Sequence, residues 1–237
     1  MSDTQQHMLA DGSTISISRD GNHRYWLGDD KAKEKKKVSS VTTLLKHIEG
    51  DTFGIGMSWA LKLVRENNGD LNAPRQVSKE SMDVGTRLHE AIDQYIRNHV
   101  VDEDDPLFVA WLNKVGEAHD WMASELYVYN PSLDPNYGGT VDAISMDTQA
   151  EVVIWDWKTK ERESYEKYGG YLREQAQLAA YSDALWAMGS VYLPTTGCIA
   201  YIMRDGSYVD VVEVDLKRGS KLFNASRELF LLTKGGE

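Results

Sequence analysis

The segment Ile154-Trp155-Asp156-Trp157-Lys158-Thr159 carries a carboxylate and an ammonium two residues apart within an apolar, strand-forming run. Side chains alternate between the two faces of a β-strand, so Asp156 and Lys158 share one face, and Trp155 and Trp157 share the other. A second carboxylate on a neighbouring strand would let that face hold a hard divalent cation beside the lysine. The segment therefore predicts a strand that supplies part of a metal-dependent active site.

Asp142 is the candidate for that second carboxylate. It lies in a predicted strand at 139–146, on the face shared by Thr140 and Ile144, so that a charged group interrupts an apolar stripe. Burial of a lone carboxylate is costly unless the group is paired or bound to a metal. Because Asp156 repeats this anomaly on its own strand, the two carboxylates indicate a shared site rather than solvated strand ends.

The composition is that of a globular chain of 237 residues, with an apolar share of 41% and seven Trp and twelve Tyr spread along it. The length suits one sizeable hydrophobic core or two small ones. No apolar run approaches the roughly 20 residues that cross a bilayer, and residues 1–6 lack a targeting pattern. We therefore expect a soluble intracellular protein without a membrane partner.

The net charge of -11 excludes a protein coated in positive potential, such as a nonspecific DNA-packaging protein. A local basic track can still bind a phosphate backbone, and five lysines between residues 31 and 37 form one such cluster. That cluster and the acidic run 102–105 are equally compatible with solvated loops. The single cysteine, Cys198, excludes an internal disulfide and is expected to be a small buried hydrophobe.

Periodicity and turn signals predict the order of the elements. Residues 1–77 predict a hairpin around 19–22, a basic loop and two helices between 40 and 67. From residue 78 the predicted elements are a helix from Ser78 or Ser81 to 98, a helix at 106–121, strands at 125–129, 139–146 and 152–157, a helix at 171–188, strands at 198–203 and 208–214, and a helix at 217–232. This order predicts an α/β fold with a mixed central sheet flanked by helices. We expect an N-terminal subdomain, 1–77, and a core, 78–237, in one compact unit.

Four short motifs follow one another along the chain: Gly85-Thr86-Arg87-Leu88-His89, Gly139-Thr140-Val141-Asp142, Asp156-Trp157-Lys158-Thr159 and Gln177-Leu178-Ala179-Ala180-Tyr181. In type and order they resemble the PD-(D/E)xK nuclease superfamily, in its RecB-like exonuclease branch. Within that branch the resemblance extends to the mitochondrial genome maintenance exonuclease and to stand-alone phage exonucleases, through Glu125 followed by Asp-Trp-Lys-Thr. The chain departs from the branch's cluster-bearing CRISPR adaptation nucleases, which need several cysteines, so no iron-sulfur cluster is expected.

The resemblance implies a restriction-endonuclease-like core that hydrolyses phosphodiester bonds with one or two Mg2+ or Mn2+ ions. The implied metal ligands are His89, Asp142, Asp156 and the backbone carbonyl of Trp157, with Glu125 as a further carboxylate on the metal side. Lys158 would position the attacking water or neutralise developing charge. An imidazole ligand favours transition metals, so Mn2+ is expected to support activity better than Mg2+. The implied DNA contacts are Arg87, Thr159, Gln177 and Tyr181.

Ordinary structural explanations compete with several of these roles. A lone histidine on a helix, such as His89, is usually structural. Gly85 lies one turn before it and either opens space for a ligand or permits close helix packing, at a cost of about 1 kcal/mol relative to alanine. Gln177 and Tyr181 share one helix face, but polar residues on the surface of an ordinary helix have the same spacing.

The resemblance implies a DNA substrate, single-stranded or with free ends, and no element is obviously dedicated to reading base edges. It also suggests that the helical segment before His89 arches over a single strand through stacking and phosphate contacts, although its aromatic residues also suit an ordinary core. The residues in question are Phe53, Trp59, Lys62, Arg65 and Lys79.

Three functions remain open from the sequence. The first is a metal-dependent DNA exonuclease of phage or bacterial replication, recombination or degradation, located in the cytoplasm, that of the host if phage-encoded. The second is a structure-specific or restriction-type endonuclease, and the third is a noncatalytic DNA-end-binding protein. The intact set Asp142, Asp156 and Lys158 favours the enzymes.

Overall fold

In the computed structural model the described residues are 3–28, 36–48 and 52–234, without the side chains of His47, Lys234 and residues 52–55. Their nine strands form one mixed sheet in the order β1-β2-β3-β4-β6-β7-β8-β9, with β5 paired to β6. The pairs β4–β6 and β7–β8 are parallel and the others antiparallel. The strands are β1 Asp3–Met8, β2 Thr14–Arg19, β3 Tyr25–Leu27, β4 Lys36–Ser40, β5 Asp120–Asn130, β6 Tyr137–Met146, β7 Val152–Lys160, β8 Thr196–Met203 and β9 Val209–Val214.

Helices flank this sheet on both faces, which confirms the predicted α/β architecture with a mixed central sheet. They are α1 Val41–Leu44, α2 Thr52–Glu66, α3 Ala73–Asn98, α4 Pro106–Lys114, α5 Arg162–Tyr168, α6 Leu172–Ala187 and α7 Leu216–Lys234, with short 3-10 turns at Leu45–His47 and Gly116–Ala118. Within the described ranges no helix is both long enough and apolar enough to cross a bilayer.

The alternation predicted for β7 divides the core between the two faces of the sheet. Ile154 packs into the cluster that α6 and α7 cover, whereas Trp155 and Trp157 pack into the cluster that α3 and α4 cover. The indoles of Trp155 and Trp157 stack with ring centroids 5.4 Å apart, and Trp111 of α4 meets Trp157 edge-on at 5.6 Å. These rings attach the α3–α4 layer to the sheet, because large aromatic side chains bury the most apolar area per residue.

A gap in the hydrogen-bonded ladder along β6 creates the space for a site. The first part of β6 pairs with β4 through Tyr137 and Gly138, and the last part pairs with β7 from Ala143 onward. Between these two stretches, residues 139–142 have neither strand on that edge, while β5 continues to pair on the other edge. The backbone edge of these residues is therefore left without a strand partner on that side, whereas the Val141 side chain stays in the core.

The structure corrects three boundaries of the helices and strands. Helix α3 begins at Ala73, with Pro74 in its first turn, where the missing proline N–H is not required, so neither Ser78 nor Ser81 caps it. The helix predicted at 106–121 ends at Lys114, and Trp121 lies in β5, where its ring packs against Trp155 at 5.8 Å. Tertiary packing thus overrides the local helical pattern.

The N-terminal region contributes directly to the sheet. Lys36 and Lys37 belong to β4 rather than to a loop, whereas Lys31, Lys33 and Lys35 lie outside the described residues. Helix α3 runs through the predicted boundary between residues 77 and 78. The assignment of residues 1–77 as a separate subdomain stays a prediction.

Candidate active site

A cleft of about 650 Å³ opens at the gap along β6. Helix α3 forms one wall, and the β2–β3 hairpin and the middle of α6 contribute others. The cleft is lined by the motif glycines Gly85 and Gly139 and by six of the residues predicted for the site: His89, Glu125, Asp142, Lys158, Gln177 and Tyr181. Residues from four separate motifs therefore meet at one surface.

The backbone of Trp157 is held by two of the predicted site residues. Because the β6–β7 ladder runs from Met146–Val152 only to Ala143–Trp155, Trp157 lies beyond it. Its N–H donates to Oδ2 of Asp142 at 2.7 Å, and its carbonyl oxygen lies 3.2 Å from Nε2 of His89. Asp142 and His89 thus replace the missing strand partner, and Oδ1 of Asp142 is left directed at the cleft.

His89, Glu125 and Asp142 offer ligand atoms that all lie within 4.8 Å of one another. Nδ1 of His89 is 3.7 Å from Oδ1 of Asp142 and 3.9 Å from Oε1 of Glu125. Two ligands of one small cation, each bonded at about 2.1 Å, stand roughly 3–4 Å apart, so these separations fit a shared ion. Two carboxylates and one imidazole suit Mn2+ or Mg2+.

One ring nitrogen of His89 faces the two carboxylates, and the other faces the backbone of Trp157. If Nε2–H donates to the Trp157 carbonyl, Nδ1 is the free acceptor that faces the carboxylates. Burial alone would lower the pKa of His89, but the negative charge of Asp142 and the hydrogen bond of Glu125 raise it to about 9. In the metal-free protein the ring is therefore protonated at neutral pH, and a metal ion that binds through Nδ1 has to displace that proton.

Glu125 has an unusual backbone conformation for a residue within a strand. Its neighbours Ser124 and Leu126 pair with Ala143 and Val141, so Glu125 stands opposite Asp142 across the β5–β6 ladder. Its φ of 49° lies in the left-handed region, which is costly for a residue with a side chain and recurs at functional sites. In this conformation the Glu125 carboxylate lies in the group with Asp142.

Asp156 and Lys158 form a separate buried ion pair beside this group. Nζ of Lys158 lies 2.5 Å from Oδ2 of Asp156, whose side chain is 2% exposed. Burial raises the pKa of Asp156 above its ordinary value, although the ammonium of Lys158 opposes the shift. The structure thus directs Asp156 at Lys158, and its prediction as a metal ligand, like that of the Trp157 carbonyl, stays a prediction.

The second and fourth motifs meet through a glycine and a tyrosine. A Cβ at Gly139 would overlap the ring of Tyr181, so the close approach of α6 to β6 requires glycine there. Nε2 of Gln177 donates to the hydroxyl of Tyr181 at 3.0 Å. At Gly85, in contrast, a Cβ would meet Thr159 Oγ1 at an ordinary 3.8 Å, which favours open space over tight packing as its purpose.

Two predicted DNA contacts lie away from the group of ligands. Arg87 lies two residues before His89 on α3, so its side chain points to a different face of the helix. There it lines a second depression together with Asp102, Asp104 and Asp105. The hydroxyl of Thr159 lies beside Gly85 of α3, 3.8 Å from the position of a Cβ at that glycine. Their DNA-binding roles stay predictions.

Arg19 is a cleft residue that was not predicted. Its Nη1 lies 3.7 Å from Oε2 of Glu125 and donates to Oγ1 of Thr140 at 3.1 Å. Burial alone would lower the pKa of Arg19, but neighbouring Tyr127, Tyr25 and Glu125 raise it. The sequence offered only a turn signal at residues 19–22, since the contacts depend on how the hairpin packs against β5 and β6.

Helix α2 exposes apolar side chains to solvent. Trp59 is 41% exposed and Leu61 is 61% exposed, so Trp59 is not the core aromatic that the alternative explanation required. Lys62 is paired loosely with Glu66 at 3.8 Å. The side chain of Phe53 lies outside the described residues.

Comparison with known proteins gives a family-model match for the central part of the chain. Residues 110–225 match the sequence model of the PD-(D/E)XK nuclease superfamily. A solved structure titled "Crystal structure of SSO0001" is similar with 16% identity and a TM-score of 0.43, over 84% of this chain and 79% of that chain. No curated protein matches the chain. The matched region contains Glu125, Asp142, Asp156 and Lys158, and His89 precedes it.

Proposed function

We propose that this chain, whose residues 110–225 match the sequence model of the PD-(D/E)XK nuclease superfamily, is a Mg2+- or Mn2+-dependent DNA exonuclease. Its substrate is single-stranded DNA or DNA with free ends, in phage or bacterial replication, recombination or degradation, and its location is the cytoplasm. The observation that carries this proposal is the convergence of His89, Glu125 and Asp142 in one cleft beside Lys158. These groups are what metal-assisted hydrolysis of a phosphodiester requires.

The proposed binding group for the cation is His89, Glu125 and Asp142, with Asp156 and the Trp157 carbonyl available for one ion or a second. A bound divalent cation polarises the scissile phosphate and lowers the pKa of the attacking water. The Asp142 carboxylate serves two purposes, since Oδ2 fixes the Trp157 backbone while Oδ1 faces the ligand position. This attachment orients the carboxylate before any ligand arrives.

Lys158 acts as a fixed positive charge in this proposal. Burial alone would lower the pKa of Lys158, but the carboxylates of Asp156 and Asp142 raise it above its ordinary value. An ammonium that stays charged at neutral pH cannot take a proton from water. Its role is therefore to orient the nucleophile and to stabilise the charge that develops on the phosphate in the transition state.

Two features support the preference for single strands: an exposed aromatic side chain on α2 and an arginine in the cleft. Exposed Trp59 on α2 offers a stacking surface, and base stacking on aromatic side chains binds single strands without sequence preference. Arg19 adds a guanidinium inside a chain of net charge -11, at the point where a phosphate backbone would pass. Arg19 thus offers one cationic group for a phosphate contact.

Linear and covalently closed circular single-stranded DNA distinguish the proposed exonuclease from the alternatives. With Mn2+ we expect the linear substrate to be degraded and the circle to persist, because an exonuclease needs an end. Gel electrophoresis of both substrates, with and without a chelator, is the measurement. Cutting of the circle would favour the endonuclease, and a reaction that is absent or insensitive to the chelator would contradict both enzymes.

Metal affinity is expected to rise with pH between about 6 and 9. Because the folded pKa of His89 is raised to about 9, the ring is protonated below that pH, and a metal must displace this proton. The apparent Mn2+ affinity should therefore increase by about tenfold per pH unit and level off near the pKa.

The measurement is a calorimetric Mn2+ titration of the wild type at several pH values. In a His89→Gln variant, which has no ring to deprotonate, binding should be weaker and most of the slope should disappear. A wild-type affinity that is constant from pH 6 to 8 would remove His89 from the ligand set.

A further inference from the structure

The strained backbone at Glu125 is held from one side by the N-terminal strand. Nε2 of Gln5 donates to the carbonyl oxygen of Glu125 at 2.6 Å, and Oε1 of Gln5 accepts from the N–H of Tyr127 at 2.8 Å. The amide side chain thereby imitates a peptide group of a neighbouring strand. Oδ2 of Asp3 adds a contact by accepting from the hydroxyl of Tyr127 at 2.7 Å.

The residue before Glu125 is held from the other side by helix α3. Nη2 of Arg97 donates to the carbonyl oxygen of Ser124 at 2.8 Å, and Nε of Arg97 donates to Oδ1 of Asp93 at 2.6 Å. The hydroxyl of Ser124 donates to the same Asp93 oxygen. Asp93 lies one helical turn after His89, so this network joins the backbone of Glu125 to the helix that carries the histidine.

We propose that Gln5 and Arg97 are positioning residues that hold the Glu125 carboxylate in the metal-binding geometry, an inference that rests on the proposed function. A residue with a side chain stays at a positive φ only when its surroundings fix it. Here the carbonyl groups of two consecutive residues, Ser124 and Glu125, are each anchored by a side chain from a different element. If either anchor is removed, Glu125 can relax to an extended conformation, and its carboxylate leaves the group with Asp142.

The competing explanation is that Gln5 merely fastens β1 to β5. The two explanations differ in their consequences for metal binding. A simple fastening lowers the melting temperature and leaves the metal affinity of the folded protein unchanged. A positioning role weakens metal binding in protein that is fully folded, and high metal concentration then restores turnover.

The test is Gln5→Met, which keeps the length of the side chain and removes both hydrogen-bonding groups. We expect Mn2+ binding, measured by calorimetry below the melting temperature, to weaken by about 10-fold. The Mn2+ concentration for half-maximal DNA cleavage should rise by the same factor, while kcat at saturating Mn2+ recovers. Gln6→Met is the matched control, because Gln6 is the exposed neighbour on β1, and its metal affinity should equal that of the wild type.

Arg97→Met tests the other anchor and covers the case in which Gln5→Met does not fold. It should also weaken Mn2+ binding by about 10-fold. If the wild type binds Mn2+ and the folded variants bind it equally well, the positioning role is wrong and the proposed metal centre stands. If the wild type itself binds no Mn2+, the metal centre fails, and the positioning role fails with it.

Discussion

Replacing Lys158 with alanine should reduce turnover by about 100- to 1000-fold, because the transition state loses a preorganised positive charge. Mn2+ affinity should change far less, since the ammonium binds Asp156 and is not part of the group formed by His89, Glu125 and Asp142. Single-turnover cleavage of end-labelled DNA at saturating Mn2+, together with calorimetry, measures the two effects separately.

The substitution also leaves Asp156 buried without its partner, and an unpaired buried charge destabilises a protein by about 3–5 kcal/mol. The double variant Lys158→Ala, Asp156→Asn removes that charge and separates lost stability from lost chemistry. Lys217→Ala, an exposed lysine on α7, is the control for a general loss of positive charge. Near-wild-type cleavage by a folded Lys158→Ala protein would remove the lysine from the mechanism.

Replacing Asp142 with asparagine should abolish both metal binding and turnover, with Mn2+ affinity reduced by more than about 100-fold. The amide oxygen of asparagine can still accept from the Trp157 N–H, where Oδ2 now accepts at 2.7 Å. The amide nitrogen then takes the place of Oδ1 and presents N–H groups, which repel a cation. Replacement of one oxygen by an NH2 group thus converts a ligand into a donor without altering shape.

The effect on His89 makes this variant informative. The charge of Asp142 is one of the causes that raise the pKa of His89 to about 9, so the substitution should lower that pKa. A lower pKa alone would favour metal binding, because fewer protons compete with the ion. A loss of affinity in spite of this gain therefore identifies the carboxylate as a ligand. Asp102→Asn, in the exposed acidic run, is the control.

The arrangement of side chains on the central strands could be predicted from the sequence, because it depends on a local alternation of residues. Alternation with a period of two put Asp156 and Lys158 on one face of β7 and the two tryptophans on the other, as the structure has them. The anomalous carboxylate at Asp142 could likewise be identified from its apolar neighbours on the same strand face. These features depend on a few consecutive residues and on no distant contact.

The N-terminal contribution could not be predicted, because it depends on contacts across more than a hundred residues. Gln5 and Arg19 meet Glu125 only after β1 and β2 have packed beside β5. The positive φ of Glu125 is set by this environment and by the register with β6. Strand β4 lies in the lysine-rich stretch and could not be predicted either, because its pairing with β6 is parallel and non-local.

The most direct test of the metal centre is a calorimetric titration of Mn2+ into the wild type and the Asp142→Asn variant under identical conditions. The three ligands His89, Glu125 and Asp142 predict saturable binding to the wild type and no measurable binding to the variant. Melting curves establish that both proteins are folded during the titration. Equal Mn2+ affinity in the two proteins would contradict the assignment of the site.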